Sequence, residues 1–156
     1  MRRIVLYGVG LILASLVGLS YTATGRATSH RTVSHSCAVT DRNFIETART
    51  NMAAISLWGQ EYMNGDAAAG DVAAEADRGA KIVGAAATTD PSLTQTRRLL
   101  VAMLLEYQKA MQLQAKHRDA SKHIYRSYAL ANLAHDVLVQ AEAPLAKRGC
   151  DVAPLL

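Results

Sequence analysis

The chain has 156 residues, half of them apolar and only 5% aromatic, which is enough for one domain with a modest core. Seventeen Lys and Arg against thirteen Asp and Glu give a formal charge of +4, but Arg2, Arg3 and Arg26 all stand near the amino end. From residue 28 onward the count is fourteen against thirteen, so the high isoelectric point gives no argument for nucleic acid as a partner.

Met1-Arg2-Arg3 is followed by an uncharged run over residues 4–21 (IVLYGVGLILASLVGLSY), and only then do polar residues begin. Positive charge before an apolar stretch marks an export segment, assigned to residues 1–27. Its eighteen-residue apolar run falls between the roughly 7–15 of a removable signal peptide and the roughly 17–25 of a transmembrane anchor. Small-x-small patterns occur at Ala23-Thr24-Gly25 and Gly25-Arg26-Ala27. Cleavage there yields a secreted protein; retention leaves a membrane protein anchored by residues 4–21. Membrane contact is expected only through that segment, if uncleaved. Residues 28–40 continue a stretch rich in Thr, Ser and His that has too little apolar surface to fold, a flexible linker. His30 and His35 have no rigid element to make them a metal site.

Cys37 and Cys150 are the two cysteines and bracket the remainder. In an exported protein they are predicted to form a disulfide bond, which brings both ends of the domain together. Intermolecular pairing or two free thiols are the alternatives.

Between them, residues 41–150 read as helix, with Ala, Leu, Met, Gln, Lys and Arg abundant and no strand-like alternation. The first helix is predicted over 41 or 42 to 63, capped by Thr40 or Asp41, with an apolar stripe of Phe44, Ala48, Met52, Ile55, Gly59 and Tyr62. Asn64-Gly65-Asp66 then supplies a stop, a turn and a new cap. The second helix, 66–86, puts Ala69, Val72, Ala73, Ala76, Ala80 and Val83 inward, small side chains that allow close approach but bury little area. Asp90-Pro91 caps a third helix carrying Leu93, Leu100, Met103, Leu104, Tyr107 and Met111.

Residues 92–143 contain neither Gly nor Pro, so local signals permit one long helix. The cysteines decide against it, because only an even number of antiparallel helices returns Cys150 to Cys37. A break at 117–121 (HRDAS), with Asp119 or Ser121 as cap, gives a fourth helix with Ile124, Tyr128, Ala131, Leu138, Ala141 and Leu145 inward. It kinks or stops just before Pro144, and 151–156 form a tail. The predicted fold is all-α, an antiparallel up-down four-helix bundle closed by one disulfide. A helical hairpin plus one long helix is the alternative.

No metal, nucleotide or nucleophile motif is present. Neither a catalytic nor a metal site is assigned, and no cofactor is expected. For haem, Met52, Met103, Met111, His123 and His135 are the only axial candidates, and methionines at helical spacing are commonly core. Residues 61–90 hold six acidic against two basic side chains, and residues 97–126 seven basic against two acidic. Within the latter, Lys116, His117, Arg118, Lys122, His123 and Arg126 form a candidate patch for an anionic partner at the turn between the third and fourth helices. Its histidines would add positive charge as pH falls through about 6.5. Trp58 and Tyr62 are candidate interface aromatics.

The leading functional expectation is an exported or membrane-anchored, non-enzymatic helical domain. Its expected partner is an envelope or extracellular protein or an anionic polymer. A carrier of a small apolar ligand such as haem stands second and an all-helical secreted enzyme third. A composition rich in Ala, Arg, Val and Leu and poor in Lys and Phe suggests a GC-rich bacterial genome or its phage.

Overall fold

Each amphipathic stretch ends at an identifiable stop, and a computed structural model, which describes residues 36–156, turns the four stretches into four helices. They are α1 (Val39–Asn64), α2 (Ala69–Ala85), α3 (Pro91–Ala115) and α4 (Ser121–Lys147), followed by a 3-10 turn (Ala153–Leu155). The predicted export segment, and the linker as far as residue 35, lie outside the described residues. Among the described residues no helix is long and apolar enough to cross a membrane.

The helices alternate in direction, α3 packing closely on both α2 and α4 and α1 on α2. Cys37 and Cys150 are bonded, with Cα atoms 4.8 Å apart across a sequence separation of 113. One end of the bundle therefore holds the start of α1, the α2–α3 loop and the end of α4. The other holds the α1–α2 and α3–α4 turns.

The turns follow their sequences closely. Gly65 adopts φ 86° after α1, and the Asp66 N–H closes on the Glu61 carbonyl at 2.8 Å, a helix ending that favours glycine. This occupies Asp66 in finishing α1, so α2 begins three residues later than the sequence predicts, after Ala68 and without a side-chain cap. Asp90 caps α3 as predicted, its Oδ1 accepting from the Ser92 and Leu93 N–H groups at 2.8 and 3.2 Å. The long-helix alternative fails at His117, which takes φ 53° while the Arg118 N–H returns to the Leu113 carbonyl at 2.9 Å. Asp119 then receives the Ser121 N–H at 3.0 Å.

Two details of α4 differ from expectation. The helix runs through Pro144 to Lys147, because proline so near the end removes one backbone bond while Leu145, fully buried, fixes the last turn in the core. Tyr128, predicted inward, is 40% exposed. The inward position belongs to Ser127, whose hydroxyl donates to the Met103 carbonyl at 3.2 Å, so a small side chain sits where α4 crosses α3.

Every predicted inward residue of α2 and α3 is buried, and Phe44, Ala48, Ile55 and Gly59 are buried on α1. Met52, Tyr62 and Ala131 are half-buried against this core. The tail joins it as well: Val152 is buried and Leu155 and Leu156 pack on the core, with the 3-10 turn lying against α1 and α4. Each large apolar side chain so buried contributes about 1.5–3 kcal/mol.

Candidate functional site

The turn between α3 and α4 is built by the left-handed His117 and by Asp119, and both leave the surrounding cations outward. Lys116, Arg118, Lys122 and Arg126 are all exposed, as is His117. None of these four cations enters an ion pair among the described residues. Lys122 and Arg126, four apart, share one face of α4.

His123 is different. Its Nδ1 lies 2.7 Å from Glu106 Oε2 on α3, with the ring half-buried. Lys109 reaches the other oxygen of Glu106 at 3.1 Å. The hydrogen bond from His123 is the main reason the Glu106 carboxyl is held below its ordinary value, against a smaller upward push from burial. The structure thus keeps five of the six patch residues at the surface and assigns the sixth to joining two helices. Lys109, exposed on α3 seven residues before Lys116, lies toward the same end but is paired with Glu106.

Among the described residues no ion pair joins the acidic segment 61–90 to the basic segment 97–126. Arg78 pairs with buried Glu75 at 2.6 Å and Lys81 with Asp77 at 2.5 Å, both within α2. Arg97 of α3 instead donates to the Ala86 carbonyl just beyond α2 at 2.7 Å, a favourable position for a cation.

The disulfide end holds a polar knot that local sequence signals did not reveal. Asp41 does not cap α1. Its carboxylate crosses to the α2–α3 loop, accepting from the Thr89 N–H and hydroxyl, both at 2.6 Å, and the Asp90 N–H at 3.3 Å. Arg148, beyond α4, contacts Asp90 Oδ2 at 2.5 Å. A depression of about 280 Å³ lies beside this knot, lined by Glu142, Ala146, Gly149, Cys150, Asp151 and Val152.

Trp58 and Tyr62 are both half-buried and packed on the core. Tyr62 neighbours buried Tyr107, whose phenol is pushed up to about 12 by burial and secondarily by Tyr62. Gly59 admits the Tyr107 ring: a β-carbon there would lie 3.3 Å from its hydroxyl. Of the haem candidates, Met103 and Met111 are core residues and Met52 is half-buried. His123 engages Glu106, and His135, 43% exposed, lies 3.8 Å from Asp136. Among the described residues no group of three metal-ligating side chains converges. Comparison with family models, curated proteins and solved structures finds no match.

Proposed function

We propose that the chain is an exported, non-enzymatic helical domain that binds an anionic partner through the turn between α3 and α4. That partner is a cell-envelope polymer or the acidic surface of an extracellular protein. The observation that carries this reading is the set of exposed cations Lys116, Arg118, Lys122 and Arg126, unpaired among the described residues, on a rigid, disulfide-tied scaffold. Unpaired cations on a fixed frame attract anions without first breaking internal bonds. Export is supported by Arg2, Arg3 and the apolar run 4–21, and by a disulfide of the kind that persists outside the cytoplasm.

The chain enters the bundle at Ser36, at the disulfide end, and α3 alone is 25 residues, about 37 Å long. A bundle tethered at Ser36 therefore presents the cationic turn at its far end. The test is retention on an immobilised anionic polymer such as heparin across a salt gradient. The wild type should elute late, and Lys116→Glu with Arg118→Glu should advance elution markedly while leaving the helical spectrum unchanged. Equal elution of both proteins would overturn the reading.

A further inference from the structure

The outward face of α4 is unlike that of α1. α1 shows Arg42, Glu46, Arg49 and Gln60 to solvent, with Leu57 the one exposed large apolar side chain in its middle and Val39 and Met63 exposed at its two ends. α4 instead exposes Tyr125 at 63%, Tyr128 at 40%, Leu133 at 52% and Val139 at 48%, interspersed with the exposed Ala129, Asn132 and Asp136. Large apolar side chains on the side of a helix opposite its buried stripe are the pattern of a helix packed on both sides.

Ala129, Asn132, Leu133 and Asp136 follow the i, i+3, i+4, i+7 spacing that encloses a hole for one side chain of a facing helix. The short Ala129 leaves room there, and Asn132 gives an entering phenol a polar neighbour. Tyr125 stands one turn ahead of this hole. Reversing the helix and laying it on itself about Ala129 seats the Tyr125 of each copy in the hole of the other. The same alignment sets Lys122, seven residues before Ala129, opposite Asp136, seven after it. Each position lies only about 20° around the helix axis from Ala129, so both fall within the contact strip. Lys122 enters no ion pair among the described residues, and the one such contact of Asp136 is His135 at 3.8 Å. Parallel alignment would set Lys122 beside Lys122 and Asp136 beside Asp136.

We propose that this face binds a second copy of the chain, with the two α4 helices antiparallel across a two-fold axis at Ala129. With α4 beginning at Ser121, the overlap is a strip about 25 Å by 10–12 Å over residues 121–137, so the dimer buries about 550 Å² in total, below the usual range of stable complexes. The association is accordingly weak and concentration-dependent. It shares Lys122 with the cationic-turn reading but does not rest on it, because the Tyr125 knob and its hole include none of the turn's cations.

Disulfide trapping of the full chain in its producing cells tests it. Ala129→Cys should yield a covalent dimer, Leu133→Cys alone should not, and Leu133→Cys mixed with Tyr125→Cys should. Ala53→Cys, on the outer face of α1, controls for random collision. In sedimentation, Tyr125→Ser should weaken association about tenfold or more, and Lys122→Glu should weaken it until Asp136→Lys is added. Heparin retention of Tyr125→Ser, loaded dilute, should be unchanged, which separates failure here from failure of the cationic turn. Trapping of Leu133→Cys as readily as Ala129→Cys, or of Ala53→Cys equally well, would overturn the antiparallel dimer. So would a monomer whose Ala129→Cys thiol is shielded from reagent, since another segment of the same chain would then cover the face. Recruitment of the monomer to anionic vesicles through Tyr125 and Leu133 would overturn it in favour of a lipid surface.

Discussion

Asp41 shows how one residue ties distant segments. Burial pushes its carboxyl up, but the Thr89 hydroxyl, the Thr89 and Asp90 backbone N–H groups and the nearby Arg148 charge together hold it below the ordinary aspartate value. A folded-state value below the unfolded one, about 3.9, means that the stabilisation is full above that pH and disappears as pH falls through the folded value. Asp41→Asn should therefore cost about 2–3 kcal/mol near neutrality, and its deficit relative to the wild type should shrink by pH 3 in urea denaturation. An equal deficit at both pH values would show that the carboxylate charge is immaterial. Thr96 makes the opposite case: it is fully buried on α3 and its hydroxyl has no hydrogen-bond partner among the described residues. Thr96→Val keeps the shape and removes the unsatisfied group, so it should stabilise by about 1 kcal/mol. Thermal unfolding would read this directly, and a destabilised variant would mean the hydroxyl is satisfied.

Among the elements, α4 is where rotation about the helix axis matters most. The inward line runs Ile124, Ser127, Ala134, Leu138, Ala141 and Leu145, and its smallest polar member sits against the α3 backbone. Ser127→Leu should overpack that crossing and cost about 1–3 kcal/mol, whereas Tyr128→Gln should stay within about 0.5 kcal/mol in dilute protein. Chemical denaturation of the two variants tests the assignment: a larger loss at Tyr128 would return it to the core. The same rotation leaves Tyr125, Leu133 and Val139 exposed on the monomer.

For the whole molecule, the covalent link and the polar knot act at the same end. The chain-entropy model gives a loop of this length about 4–5 kcal/mol of stabilisation. Cys37→Ser with Cys150→Ser should lower unfolding stability by that order while the helices persist by circular dichroism. A loss below about 1 kcal/mol would assign closure to the Asp41, Asp90 and Arg148 contacts and to Val152 instead. The basic turn, at the far end, should be indifferent to that change as long as the bundle holds.

The sequence by itself determined the helical class, the number of helices and the inward faces of α2 and α3. These rest on local periodicity, on Asp90-Pro91 and Gly65 as punctuation, and on two cysteines whose pairing demands an even number of antiparallel helices. It also marked the cationic turn, because a loop rich in Lys and Arg has little reason to be buried. Tertiary structure alone decided that Ser127 rather than Tyr128 faces α3, that His123 leaves the patch for Glu106, and that Asp41 serves a loop 48 residues away rather than its own helix. Periodicity fixes a helical face only to within one neighbouring position, and a polar side chain with several local uses is committed by whichever donor the fold brings nearest. The outer face of α4 was legible as residues but not as a face, because only packing against α3 shows which of its apolar side chains remain open.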